Sequence, residues 1–257
     1  MILAFEFPSF SQLVEWPDFL FVDTPFALNK IGLSALIAMV ITLTLFLVAS
    51  RQRQLVPTGV QNVAEASIDM IENEIIEPTL GSEGKGHGFY VPLLTSMFFF
   101  ILILNLFELM PGWLMPGTAR MAIPAFLAVL AWVVFNVAGI KAQGAGYFKE
   151  ALFPPGVPKP IYILVTPIEF ISVFLVRPFS LAVRLYANLL AGHILVVTFA
   201  VLTAALWAQQ WYAIFLPFPF LMLIFVFVFE LLVSVLQAYI FTILTAVYIG
   251  GAIHPEH

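Results

Sequence analysis

Arg184, Asn188 and His193 stand within "LAVRLYANLLAGH" (residues 181–193), one of the most apolar stretches of the chain. A guanidinium stays protonated in proteins, so Arg184 cannot shed its charge to enter lipid. A charge near the bilayer centre costs on the order of 3 kcal/mol on insertion scales, and such residues mark ion pathways. No acid lies within reach of Arg184 along its own helix. At about 100° per residue, Ser180, Arg184, Ala187, Asn188 and Ala191 fall on one narrow face. Small side chains let another helix approach closely, so the strip either offers Arg184 to a partner or packs a static helix. His193 follows Arg184 by nine positions, which turns it about 180° away. Either the helix is distorted near Gly192, or the two residues work on different sides.

A second polar set lies on the last apolar segment. Glu230, Ser234, Gln237, Thr245 and Tyr248 share one face by the same 100° rule, as a water-lined proton path would require. If the two segments form an antiparallel hairpin, Arg184 stands level with Gln237 and His193 with Glu230. His193 and Glu230 at matching depth read either as a titrating pair, since histidine switches charge near neutral pH, or as a histidine held only as a hydrogen-bond donor. Asn105 and Glu108, three apart, share a face of an earlier helix and either extend a polar path or pair two helices. Glu169 and Arg177 complete the charged residues of the apolar segments. Arg177, beside Pro178, reads as a snorkelling or structural residue.

The elements that carry these residues are membrane helices. Hydrophobic residues make up 62% of the 257 and charged ones 10%, against about half and a quarter in a soluble domain. Several apolar runs reach the roughly 20 residues that a spanning helix needs, and the short alternating segments of a membrane barrel are missing. The expected fold is an all-α integral membrane protein of about five to six helices. A net charge of −5, spread along the chain, argues against nucleic acid as a partner. With no cysteine there is no disulfide, thiolate metal site or thiol nucleophile. The N-terminus lacks the basic region of a cleavable secretory signal.

Residues 1–31 read as an extramembrane arm and residues 32–50 as a first spanning helix, stopped by Arg51 and Arg53. In residues 57–78, Val60, Val63, Ala64, Ile68, Ile71 and Ile75 recur at helical spacing with Glu65, Asp69 and Glu72 between them. This predicts an amphipathic surface helix that ends at Pro78, followed by a flexible linker over 81–88. Residues 89–140 form a transmembrane hairpin. Residues 161–250 form two long oblique helices joined at "WAQQWY". Lys141, Lys149 and Lys159 mark the loop after residue 140 as cytoplasmic, like Arg51 and Arg53. The N-terminus is then outside and the C-terminus in the cytoplasm.

"PFSLAVRLYANLLAGHILV" (178–196) and "LLVSVLQAYIFTILTAVYIG" (231–250) resemble subunit a of F-type ATP synthases, as do "NLFELMPG" (105–112) and "IKAQGAGYFKEALFP" (140–154). The resemblance covers most of the chain from about residue 55. It implies a non-catalytic stator channel beside a ring of c subunits, each carrying a carboxylate, with a b-type peripheral stalk and a catalytic ATPase sector as further partners. By resemblance Arg184 is the essential arginine, Asn188 and Gln237 are its polar neighbours, and Asn105 and Glu108 line an access half-channel. His193 and Glu230 carry the histidine and acid in the order of mitochondrial relatives. Glu169 resembles a family acid that precedes the arginine, with its spacing offset by one. The implied location is the bacterial plasma membrane, with the mitochondrial inner membrane as the alternative.

In that mechanism a proton neutralises a ring carboxylate, which can then face lipid. Arg184 favours the ionised form on return and bars direct leakage between the half-channels. No cofactor or metal is expected, and with no P-loop the ATP chemistry belongs to partner subunits. A secondary proton-coupled transporter, with Arg184 binding an anionic substrate, is the rival reading. A bis-haem carrier needs several embedded histidines, and only His193 of the four lies clearly in a span.

Overall fold

The runs of apolar residues fold as helices throughout the computed structural model, which describes residues 29–51, 58–86, 88–110, 113, 117–118, 120–144, 146–153, 158–208 and 213–253. The expected extramembrane arm falls almost wholly outside the described residues, as does most of the "WAQQWY" connection. Helix α1 is Lys30–Arg51. Helix α2, Val60–Ile71, runs through a π turn at Glu72–Ile76 into α3, Glu77–Gly86. Helix α4 is Tyr90–Leu106 with a 3₁₀ turn at Phe107–Leu109, and α5 is Ala122–Gln143. The short α6 is Gly146–Leu152. Helix α7, Tyr162–Ile171, continues through a second π turn at Ser172–Val176 into α8, Arg177–Ala208. Helix α9 is Pro217–Ile253.

No strand occurs among the described residues. Among the described residues five stretches are long and apolar enough to cross a membrane: Lys30–Arg51, Tyr90–Leu109, Ala122–Gln143, Tyr162–Trp207 and Ala213–Ile253. The protein is an all-α, multi-pass integral membrane protein. Tyr162–Trp207 has 46 residues, about 69 Å of helix at 1.5 Å per residue. That exceeds a hydrocarbon layer about 30 Å thick, so it must run obliquely or emerge.

Pro78 and Pro178 lie in helices that continue past them, and each follows a π turn. Proline lacks an N–H, and its ring clashes with the carbonyl four residues back. A π turn inserts one extra residue and widens the helix there. Pro178 follows the turn Ser172–Val176, in which the Arg177 N–H donates to Ser172 O. The Val173 carbonyl would next look to residue 178, which has no donor. The indole Nε1–H of Trp132 on α5 supplies one at 3.3 Å. Pro78 sits in the same way behind Glu72–Ile76, where the Glu77 N–H reaches Glu72 O. The helix therefore does not stop at Pro78, where sequence places its end. It continues to Gly86 with a kink at Gly81, over the segment expected as a linker.

Helix α9 is the central element, packed against α8, α4 and α5, with α3 along its C-terminal part. Gly250 makes that last contact: a Cβ there would strike the Thr79 carbonyl oxygen, so the two backbones touch directly. The core gathers Ile71, Ile75 and Leu80 with Leu94, Phe98 and Ile101 of α4, Phe135 of α5, Leu185 and Leu189 of α8, and Phe241 and Ile249 of α9. On α2 the expected apolar face is only partly used: Ala64 and Ile71 are buried, but Val60 and Val63 are exposed. Helix α5 ends at Gly144, whose positive φ of 63° lets its N–H return to Ile140 O. The loop helix α6 then lays Tyr147 on Gly139, where a side chain would collide with the ring. Tyr147 Oη donates to Asn136 Oδ1 at 3.2 Å.

Candidate functional site

Helix α8 is α-helical without interruption from Arg177 to Ala208, so its two faces are those of a regular helix. Leu185, Leu189, His193 and Val196 form its buried stripe. Arg184, Ala187, Asn188 and Ala191 are exposed, and Ser180 is half-buried. Of the two options left by the spacing, the structure takes the second: the helix is undistorted, and Arg184 and His193 lie on opposite sides of it. Among the described residues Arg184 has no ion-pair or hydrogen-bond partner.

The inward faces meet in a polar cluster. On α4, Leu94, Phe98, Ile101, Asn105 and Glu108 make one buried stripe, so its last two members continue a hydrophobic face with polar groups. On α9, Glu230, Ser234, Gln237 and Thr245 are buried, whereas Tyr248 is half-buried. His193 Nδ1 lies 3.4 Å from Glu108 Oε1, an ion-pair distance without the alignment of a hydrogen bond. The acid within ion-pair distance of His193 is thus Glu108 and not the Glu230 expected from sequence, although Glu230 keeps its level beside the same turn of α8. The Glu230 carboxyl instead rests on the α8 backbone at Gly192, where the missing side chain leaves just its volume. The histidine, one residue on, is turned toward α4.

Two hydrogen bonds fix the register of α9. Asn188 Nδ2 donates to Gln237 Oε1 at 2.7 Å, and Asn105 Nδ2 donates to the Ser234 carbonyl at 3.4 Å. Asn188 with Gln237, and Gly192 with Glu230, run in opposite directions along the chain, so α8 and α9 are antiparallel. Both oxygens of Glu108, Glu230 Oε2, Ser234 Oγ and Gln237 Nε2 are buried with no protein hydrogen-bond partner. Each such group costs about 1–3 kcal/mol when left unpaired, so polar atoms this concentrated are unusual for a merely structural core. A cavity of about 290 Å³ between α8 and α9 is bordered by Asn188, Ala191 and Gly192 on one side and Glu230, Val233 and Gln237 on the other. Asn188 and Ala191 also belong to the Arg184 strip, so this cavity borders the exposed strip and reaches Glu230.

Residues 32–250 match the family described as ATP synthase A chain. The chain belongs to that family. It is 42% identical over 244 residues to ATP synthase subunit a of Rhodococcus erythropolis, covering 93% of this chain and 88% of the relative. It is 39% identical over 254 residues to the subunit of the same name from Frankia alni, covering 96% and 85%. For the one from Methylobacterium, the figures are 40% over 211 residues, covering 82% and 81%.

In this A chain Glu169 stands apart from the cluster. It borders a second, polar cavity of about 90 Å³ with Arg177, Gln143, Tyr147 and Glu150, about 22 Å along the helix from Arg184 at 1.5 Å per residue. The intervening π turn holds one more residue than an α turn and absorbs the offset of one in its spacing. Arg177 also lies over the Tyr248 ring at 5.3 Å, a cation–π contact that anchors α8 to α9. Burial raises the Tyr147 phenol above its usual range, against the pull of the Arg177 charge. Sequence reasoning does not single out Gly192 as the seat of Glu230, although a glycine inside an apolar helix signals close approach. It also misses Thr118, which is fully buried yet lies in a proline- and glycine-rich loop with no periodicity.

Proposed function

We propose that this chain is the proton-conducting stator subunit of a rotary ATP synthase. The observation that carries the reading is Arg184: a permanent charge on an exposed strip of small residues, unpaired among the described residues, with buried acids beside the same helix about two turns further along. A charge in a membrane helix calls for a partner group or water, and in this reading the counter-charge comes from another subunit. The ring of c subunits supplies it as each carboxylate passes Ser180, Arg184, Asn188 and Ala191.

The cluster of Asn105, Glu108, His193, Glu230, Ser234 and Gln237 serves as one half-channel. Its polar atoms without protein partners are those a file of water would satisfy. The polar cavity at Glu169 serves the other half-channel, on the cytoplasmic side. A proton taken up through the first path neutralises a ring carboxylate, travels with the ring, and leaves through the second. Arg184 stabilises the carboxylate as it ionises and repels protons from the short route between the paths. The drive is about 2.3 kcal/mol per charge per 100 mV, plus the pH gradient. The chain itself makes no ATP; it couples to the catalytic sector through the ring and a b-type peripheral stalk. Its setting in this reading is the bacterial plasma membrane, N-terminus outside and C-terminus in the cytoplasm.

ATP-driven quenching of a pH-sensitive dye in vesicles holding the assembled complex tests the reading. Quenching that is independent of sodium supports proton transport. Quenching that requires sodium, or vesicles in which the chain takes up an organic anion without a ring, would contradict it.

A further inference from the structure

The loop between α4 and α5 is pressed onto the polar cluster at Gly117 and Thr118. A side chain at Gly117 would strike the Leu104 side chain, and the Gly117 N–H donates to Leu104 O at 3.3 Å. This satisfies one of the free carbonyls at the end of α4 and lowers Thr118 over Asn105. Thr118 and Asn105 are both fully buried, and Thr118 Oγ1 donates to Asn105 Oδ1 at 3.1 Å.

The two partners of Asn105 fix the sense of its amide. The Ser234 carbonyl can only accept, so Nδ2 must face it; Oδ1 then faces Thr118, whose hydroxyl must donate. One Nδ2 hydrogen is spent on Ser234, and the second is held in place inside the cluster. Glu108 is one turn further on the same helix face, and neither of its oxygens has a hydrogen-bond donor.

We infer that Thr118 is a positioning residue for proton uptake: its hydroxyl holds the Asn105 amide as a fixed donor beside Glu108. The inference rests on the half-channel reading above. Without the hydroxyl, Asn105 Oδ1 becomes a buried acceptor with no partner, and the amide turns or moves to find one. The titratable groups facing this seam are Glu108 from α4, His193 from α8 and Glu230 from α9. Arg120 follows in the loop, and Lys30 of α1 holds the same loop through the Trp113 carbonyl at 2.7 Å.

The experiment uses the complete complex in vesicles and measures ATP synthesis against pH on the uptake side, at constant total driving force. Thr118→Val is expected to shift the profile toward a more alkaline uptake side, because a carboxylate that loses a donor holds its proton more tightly, and to run about fivefold slower on the acidic side, where passing the proton on limits the rate. Its rate at alkaline pH should approach that of the parent. Thr118→Ser should restore the parent profile. An unchanged profile in assembled Thr118→Val overturns the inference. If that variant does not assemble, Thr118→Ala takes its place, with the same profile expected. Failure of both to assemble, with Thr118→Ser normal, would make the hydroxyl structural and overturn it too. Glu108→Gln in the same vesicles separates the two levels. A changed profile there with none in Thr118→Val removes only the positioning role; no change in either removes the half-channel reading.

Discussion

His193 Nδ1 stands 3.4 Å from Glu108 Oε1, with both side chains buried where α8 passes the end of α4. Residues in contact inside one polar network show coupling energies of about 0.5–3 kcal/mol. The exchange Glu108→His with His193→Glu should therefore keep more ATP-driven pumping than either single change. Exchanging His193 with Glu230 should give no such recovery. Pumping assays on the three single variants and two exchanges check this; recovery in the Glu230 exchange alone would move the coupling to the other acid.

The Glu230 carboxyl fills the space that Gly192 leaves on α8. Gly192→Ala puts a methyl group where that carboxyl sits, and overpacking of this kind costs about 1–3 kcal/mol. The expected result is a several-fold loss of pumping with a lowered melting temperature of the complex. Glu230→Asp shortens the side chain, so the double variant should recover activity over Gly192→Ala alone. A double variant no better than the glycine change would show that the carboxyl does not depend on this seat.

Asn188 and Gln237 join α8 to α9 by a 2.7 Å hydrogen bond at the edge of the exposed strip. Such bonds between membrane helices contribute on average only about 0.6 kcal/mol. Asn188→Leu should thus assemble normally and melt within a few degrees of the parent. It should nonetheless slow ATP synthesis, because it replaces a polar group beside Arg184 with an apolar one. Parent-level synthesis in that variant would confine the bond to a packing role.

The sequence was most informative where function lies along a single helix. The 100° spacing separates the Arg184 strip from the His193 face, and the structure keeps that separation through an undistorted α8. The antiparallel relation of α8 and α9 was legible because both segments are long and carry polar groups at matching depths. What spacing along one helix could not supply was contact between helices distant in sequence. Glu108 meets His193 because α4 and α9 pack closely and Gly192 takes the Glu230 carboxyl aside. Thr118 reaches Asn105 only because Gly117 lets a loop lie on α4. Pro78 misled the boundary for a local reason: a π turn before it lets the helix continue.

The central claim is that Arg184 meets a counter-charge carried by another subunit. The most direct measurement is proton-coupled ATP synthesis by vesicles holding an assembled complex with Arg184→Ala. The account predicts that the ring still co-purifies with this chain and that coupled synthesis is abolished. Full coupled synthesis in those vesicles would contradict it.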